Sequence, residues 1–278
     1  MNRDGCPMLK FLLWNLNKKP LQDSIERLAR LHEVDIIVLL ENHLASELLL
    51  RTLNPLGTND YYYSPSLCRK VHIFSKFLDN LIKPVYESDR MTIRHLSLPA
   101  KTDILLAAVH FPSKLHWDDE SQAIECSILA DEIRQVEKEH GHERTILMGD
   151  LNMNPYESGV ISASGLHATM SGKIAQEKKT RIVQSKQYSF FYNPMWSLFG
   201  DATPGPAGTY YFEKAQHKVQ FWHMFDQVLL RPDMIPVFKH DELKILETDG
   251  SLSFLTRQGI PDKRRSSDHL PVLFGIDI

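Results

Sequence analysis

Cysteine is scarce. Cys6, Cys68 and Cys126 stand far apart in a chain of 278 residues. An odd number with no CxxC pair argues against a disulfide framework and against a structural zinc site. Long apolar runs are also missing. No stretch approaches the ~20 residues needed to span a bilayer, so no stable membrane association is expected. The opening MNRDGCPMLKFLLWNLNKK has one short apolar run, Leu9 to Trp14, and no small-residue cleavage site behind it. It does not read as a secretory signal, and the cytoplasm is the simplest location. Charge of one sign is not in excess either. The formal net charge is −3, so no global positive field announces nucleic acid, although a local basic surface suffices to bind it. Internal repeats and low-complexity segments are absent.

What remains is an ordinary globular composition, 42% hydrophobic and 24% charged, whose pattern alternates between two periods. Short apolar runs at 9–14 (LKFLLW), 34–40 (VDIIVLL), 103–109 (DILLAAV) and 145–149 (TILMG) read as buried strands. Further strands are expected at 71–77, 91–98, 225–230 (FDQVLL) and 270–276. Residues 21–32 place Leu21, Ile25, Leu28 and Leu31 on one helical face, and 45–53 form a shorter helix. A long helix near 118–139 carries Cys126, Leu129, Ile133 and Val136 at helical spacing, with Asp118, Asp119 and Glu120 favouring its N-terminus by charge. A short helix is expected within 156–164. Residues 171–187 are polar and basic, and 188–212 are aromatic and rich in Pro and Gly, which suggests loops and short strands. No linker interrupts the pattern, so residues 1–278 read as one α/β domain.

Polar residues recur where these strands end, the usual place for a site in an α/β protein. Asn15 and Asn17 follow the first strand, and Glu41 and Asn42 the second. His110 follows 103–109, and Asp150 and Asn152 follow 145–149. Asp226 lies in 225–230, and Ser267, Asp268 and His269 precede the last strand. Taken singly, an Asn or Asp after a strand is usually a turn or a cap. Six strand ends restricted to Asn, Glu, Asp, Ser and His are hard to assign to independent turns. The set is chemically coherent. Carboxylates are hard oxygen ligands for Mg²⁺ or Mn²⁺, an Asp–His pair activates or orients water, and Asn donates to a phosphoryl oxygen without adding charge.

WNLN (14–17), LLEN (39–42), VHFPSK (109–114), GDLNMNP (149–155), FDQVLL (225–230) and SSDHLPV (266–272) occur in the order of the endonuclease/exonuclease/phosphatase superfamily, which this chain resembles from Trp14 to Phe274. The resemblance implies a four-layer α/β sandwich of two packed mixed sheets flanked by helices, and a Mg²⁺- or Mn²⁺-dependent phosphodiester hydrolase. The expected activity is a nuclease, an endonuclease cleaving DNA. The alternative is a phosphatase or phosphodiesterase acting on a small-molecule or lipid phosphoester. By resemblance, Glu41, Asn17 and Asp268 lie at the metal. Asn15, Asn152 and Arg90 contact substrate. His110, Asp150, Asn152, Asp226 and His269 are catalytic, with Asp226 orienting His269 and either Asp150 or His269 serving as base. Two departures stand out. Leu40 replaces the Gln that often precedes the metal-binding Glu, and His110 takes the place of the Tyr of abasic-site endonucleases, which argues against dedicated abasic-site repair.

Other conspicuous residues have plain readings. His32, His140, His142 and His240 sit in surface contexts, while His217 and His223 flank the strand of Asp226. Trp196, Phe199, Tyr210, Tyr211 and Phe212 read first as packing residues of an irregular loop. Lys178, Lys179 and Arg181 read as a solvated stretch as readily as a phosphate track. Lys263, Arg264 and Arg265 lie beside Asp268 and divide evenly between solvent and phosphate.

Overall fold

The computed structural model describes residues 7–55, 60–215, 217 and 219–278. Cys6 and the first six residues of the N-terminal reading lie outside them. The elements run β1 (Met8–Asn15), α1 (Gln22–Leu31), β2 (Ile36–Leu40), α2 (Ser46–Leu53), β3 (Tyr62–Ser64), β4 (Val71–Ser75), β5 (Ile82–Glu87), β6 (Met91–Leu96), β7 (Ile104–His110) and α3 (Asp119–His140). They continue with β8 (Thr145–Asp150), α4 (Ser158–Ile161), β9 (Ala168–Thr169), α5 (Gly172–Lys178), β10 (Thr180–Val183), β11 (Lys186–Ser189) and β12 (Phe191–Tyr192). The last are β13 (Tyr210–Phe212), β14 (Phe221–His223), β15 (Asp226–Leu230), β16 (Phe238–Ile245) and β17 (Val272–Asp277).

Two mixed sheets result, ordered β16-β17-β1-β2-β4-β3 and β5-β6-β7-β8-β15-β12-β9. Period-two burial makes the layers. Phe11, Leu13, Ile36 and Val38 of the first sheet meet Leu106, Ala108, Met148 and Val228 of the second in a common core. The alternate residues Leu12, Trp14, Ile37 and Leu39 face the other way and pack on Ile25 and Leu28 of α1 and Leu49 and Leu53 of α2. Leu105, Ala107, Val109 and Leu147 likewise pack on Leu129, Ile133 and Val136 of α3. The order is thus helix, sheet, sheet, helix, because strands buried on both faces need a cover on each.

Local chemistry sets the ends of α3. The Asp118 carboxylate accepts from Ser121 N–H at 2.7 Å, and Gly141 closes the helix at φ +71°, the left-handed position that Gly fills without cost. The basic stretch 171–187 becomes α5 and the β10–β11 hairpin. Lys179 is spent there on Asp233 at 2.8 Å.

Asp249 has a stronger tie. Its carboxylate accepts from Arg27 Nη2 at 2.7 Å and from Ser251 and Leu252 N–H at 2.8 and 2.7 Å. Burial works against the charge, but these donors hold the carboxyl at about 2. A depressed folded value contributes stability above the unfolded pKa and loses it as pH falls. Asp249→Asn is therefore expected to cost about 1–2 kcal/mol at neutral pH. In denaturant titrations the gap to wild type should close as pH falls from about 4 toward 2. A gap unchanged between pH 7 and pH 3 would count against the ion pair as its source.

Candidate functional site

Register alone brings the polar strand ends together. In the first sheet Asn15 pairs with Leu40, so Glu41 emerges beside the end of β1. In the second, His110 pairs with Asp150 and Asp150 with Asp226. Three potential site residues therefore lie side by side across β7, β8 and β15. The two rows meet where the sheets pack: Asn15 Nδ2 donates to Asp150 Oδ2 at 2.9 Å across them. Gly149 permits the crowding in the second row. A Cβ there would sit 1.9 Å from the Val109 carbonyl oxygen, so the residue before Asp150 is fixed as Gly by the neighbouring strand.

The chain turns sharply as it leaves these strands. Asn17, Lys18, Glu41 and Asn152 all have positive φ, between +44° and +60°. Such conformations in non-Gly residues cost roughly 1–3 kcal/mol each and persist only where surroundings impose them. Those surroundings are visible. Lys18 N–H donates to the Glu41 carbonyl at 3.1 Å and Leu16 N–H to that of Leu40 at 2.9 Å. Asn17 N–H donates to Asn15 Oδ1, and Asn152 N–H to Asp150 Oδ1 at 2.8 Å.

His269 is the most constrained member. Its Nδ1 is 2.8 Å from Asp226 Oδ2. Its carbonyl accepts from Trp14 Nε1 at 3.0 Å, and its N–H donates to Ser267 Oγ at 3.1 Å. Ser267 Oγ in turn donates to the Asn15 carbonyl at 2.6 Å. Tyr210 packs its ring 4.7 Å from the imidazole and pairs with His269 in an isolated β-bridge. Burial disfavours a charged imidazole, but Asp226, Asp150 and Asp268 outweigh it and lift His269 to about 10. Burial also pushes Asp226 up. The carboxylate beside Nδ1 thus favours the doubly protonated ring. His269 Nε2 stands 3.9 Å from Asp150 Oδ2.

On the other side of Asp150, His110 Nε2 lies 3.9 Å from Asp150 Oδ2 and 3.5 Å from Glu41 Oε1. The Glu41 carboxylate accepts no hydrogen bond at ordinary distance from any described residue. Its lone pairs are therefore open to a hard cation, as are oxygens of half-buried Asp268 and Asn17. The one group of three whose ligand atoms all lie within 4.8 Å among the described residues is different: Asp150, Asp226 and His269. There Asp150 accepts from Asn15 and Asn152 and Asp226 Oδ2 meets His269, while Asp226 Oδ1 is buried without a partner among the described residues. Arg90 sits at the rim. Its carbonyl accepts from His110 N–H at 2.9 Å, and its guanidinium lies over Trp117 at 5.7 Å. Asn152 Nδ2 gives one bond to the Phe111 carbonyl at 3.1 Å, which leaves a second amide proton.

Sequence reasoning missed several supports. Thr209 Oγ1 accepts from Asp226 N–H at 3.1 Å, and its carbonyl accepts from Leu270 N–H at 2.8 Å. Asn154 pairs with His223 Nδ1 at 3.0 Å and accepts from Met224 N–H. Thr209 and Tyr210 lie in an aromatic, Gly-rich loop with no period to betray them. The run MNP after Asn152 offered Asn154 only as a turn residue.

Two stacked mixed sheets with a carboxylate, amide and imidazole cluster at their shared edge define a hydrolytic α/β sandwich. The Endonuclease/Exonuclease/phosphatase family profile matches residues 12–269, and the chain belongs to that family. Its members are metal-dependent hydrolases of phosphoester bonds. No curated protein matches the sequence. Solved structures share the fold at low identity. The endonuclease domain of TRAS1, a telomere-specific non-LTR retrotransposon, is 15% identical with a TM-score of 0.54, covering 97% of this chain and 99% of that one. The human Nocturnin catalytic domain with bound sulfate is 15% identical, TM-score 0.56, covering 97% and 94%. The 3′ phosphatase NExo from Neisseria, bound to product DNA hairpin, is 15% identical, TM-score 0.54, covering 97% and 100%. Among the described residues no helix is long and apolar enough to cross a membrane.

Proposed function

We propose that the chain is one catalytic unit of the cytoplasm that hydrolyses phosphodiester bonds of nucleic acid, DNA first, with Mg²⁺ or Mn²⁺. The observation that carries this reading is the buried Asp226–His269 contact at 2.8 Å, with His269 Nε2 3.9 Å from Asp150 Oδ2. Around it stand Asn15 and Asn152 as neutral donors and Glu41 as an unspent carboxylate. The DNA-directed relatives, TRAS1 and NExo, favour nucleic acid over a small phosphoester.

In this reading Glu41, with Asp268 and Asn17, holds the metal, which when bound neutralises charge on the phosphoryl oxygens and lowers the pKa of water. Oxygen donors suit Mg²⁺ and Mn²⁺. The protein's own groups do the rest. Asp150 is kept in place by Asn15 Nδ2 and Asn152 N–H, and its Oδ2 accepts the proton of the attacking water. His269, held as imidazolium by Asp226, places positive charge and a donor against the phosphoryl oxygen as negative charge grows there. The spare amide proton of Asn152 donates to the same phosphate. His110, between Glu41 and Asp150, would give a proton to the leaving oxygen as its bond to phosphorus breaks.

The test is turnover of plasmid DNA, single-stranded DNA, RNA and bis(p-nitrophenyl) phosphate with Mg²⁺, with Mn²⁺ and with chelator. Nucleic acid should be cut with either metal and not with chelator. Glu41→Gln should raise the metal concentration for half-maximal rate about 10- to 100-fold, the usual cost of a perturbed ligand set. Turnover of the small phosphoester alone would favour the phosphatase alternative. An unshifted metal requirement in Glu41→Gln would remove Glu41 from the metal site.

A further inference from the structure

Asn154, in the turn after β8, has contacts that leave its amide one orientation. Its Oδ1 accepts from Met224 N–H at 3.0 Å, and its Nδ2 donates to Glu157 Oε1 at 3.0 Å. A peptide N–H donates, and the Glu157 carboxylate, which faces Lys114, accepts. Oxygen and nitrogen of the amide therefore cannot be exchanged. The same Nδ2 lies 3.0 Å from His223 Nδ1. It can only donate there, so Nδ1 offers its lone pair and the ring's proton sits on Nε2. Burial and Lys114 press the imidazolium down from its ordinary value, so at neutral pH the ring is an uncharged donor.

That donor shares a scaffold with the catalytic pair. His223 pairs with Tyr210 across β13 and β14, and Tyr210 pairs with His269. Directly paired residues project to one face, and the rings agree: Tyr210 lies 4.7 Å from the His269 imidazole and 6.2 Å from that of His223. Thr209 N–H donates to the His223 carbonyl at 2.9 Å, while Thr209 Oγ1 takes the Asp226 N–H. A Cβ on Gly208 would stand 2.5 Å from that same carbonyl oxygen, so the loop packs tightly against His223. Its ring lies 4.8 Å from that of Phe225. Nε2 has no hydrogen-bond partner among the described residues, in a ring that is only half-buried.

An uncharged donor on a rigid mount among aromatic rings suits an uncharged acceptor on a planar group. Phosphate is better served by charge, and in the reading above it has His269 and Asn152. We propose that His223 is a base-contacting residue, whose Nε2–H donates to a carbonyl oxygen or ring nitrogen of the nucleobase next to the scissile phosphate. Asn154 is its positioning residue. This deepens the hydrolase reading and rests on it, since it names the substrate as a base-bearing strand. Base edges carry the sequence information that phosphates lack, and aromatic side chains are the usual hosts of splayed single-strand bases.

Two strands of equal length decide it, a fluorescent oligodeoxythymidine and an oligomer of abasic tetrahydrofuran nucleotides. Anisotropy in chelator is the first readout. His223→Phe should bind the thymidine strand about 3- to 10-fold more weakly, the size of one neutral hydrogen bond, and the base-free strand within about 2-fold of wild type. The slope of log affinity on log salt should not change, because no charge is lost. His223→Gln, whose amide nitrogen can stand where Nε2 stood, should keep most of the affinity. Equal loss on both strands, or a reduced salt slope, would make the contact one to phosphate and overturn the proposal. So would full affinity in His223→Phe with a loss in His223→Gln, since the ring would then serve by packing. The second readout is ¹⁵N NMR of the imidazole, expected to show a neutral ring protonated on Nε2 at pH 7; a proton on Nδ1 sinks the donor. The third is turnover. kcat/KM on the thymidine strand should follow the binding loss, and that on bis(p-nitrophenyl) phosphate should stay within about 2-fold. If the binding pattern holds yet wild type cleaves nothing with either metal, the base contact stands and the hydrolase reading fails. If wild type cleaves and His223→Phe matches it on every substrate, the hydrolase reading stands and the base contact fails.

Discussion

Asp226→Asn is expected to lower kcat on nucleic acid about 10³- to 10⁴-fold, the scale set when a carboxylate behind a catalytic imidazole becomes an amide. The reason lies in which proton the ring keeps. Asp226 Oδ2, at 2.8 Å from Nδ1, is the counter-charge that lets a buried imidazole hold two protons. An amide in its place has half the acceptor capacity and no charge. Burial, which already acts against the ring's charge, would then face one counter-charge fewer, and His269 would hold its second proton less tightly. Its positive charge would be weakened when the phosphoryl oxygen becomes more negative. The fold should survive, because the amide matches the carboxylate in size and the Asp226 N–H still donates to Thr209 Oγ1. Steady-state kinetics at saturating metal, with a thermal melt on the same sample, check both halves. A variant with kcat within 10-fold of wild type would show that His269 works without its partner.

How much of this was legible beforehand depends on how each residue is buried. Strands covered on both faces announce themselves as apolar runs, and β1, β2, β7, β8, β15 and β17 were all visible for that reason. They are also the strands that deliver Asn15, Glu41, His110, Asp150, Asp226 and His269, so the gathering of these residues at one edge was readable with the core. The edge strands were not. In β5, exposed Lys83 and Pro84 break the alternation. In β16, KHDE carries charge on an outer strand that also bulges between Lys239 and Lys244. The amphipathic helices stood out by their period, whereas the β10–β11 hairpin looked like a basic coil because its side chains are largely exposed. Within the site, what stayed hidden was support rather than chemistry. Tyr210 and Thr209 act on His269 and Asp226 through a ring contact and backbone bonds, and neither leaves a mark in the pattern of residue types. The gathering of Asp150, Asp226 and His269 within 4.8 Å was likewise a matter of register, which a one-dimensional reading cannot set.

The far ends of the same strands carry the largest expected loss of stability. Arg231, just past β15, meets Glu137 of α3 in a two-pronged ion pair, Nε to Oε1 at 2.8 Å and Nη2 to Oε2 at 2.9 Å. Both side chains are almost fully buried. The network is complete. Thr145 Oγ1 at the start of β8 donates to Glu137 at 2.7 Å. Arg231 Nη1 donates to the carbonyls of Ser189 and Phe190, and the guanidinium lies 3.9 Å from the Phe191 ring centroid. Arg231→Met fills much of the space but leaves Glu137 charged, buried and unmatched, which costs about 3–5 kcal/mol. Adding Glu137→Leu removes the stranded charge and should recover most of that loss, since a buried pair is often no better than an apolar replacement of like volume. Denaturant midpoints for the two singles and the double measure the coupling. Additive losses would mean that the pair matters only as packing. Because β8 and β15 pair from Ile146–Leu230 to Asp150–Asp226, the ion pair anchors one end of the ladder whose other end holds the site. At temperatures where Arg231→Met stays folded, kcat should therefore be close to wild type: the distal clamp sets how long the register lasts, and the register alone sets where Asp150 and Asp226 stand.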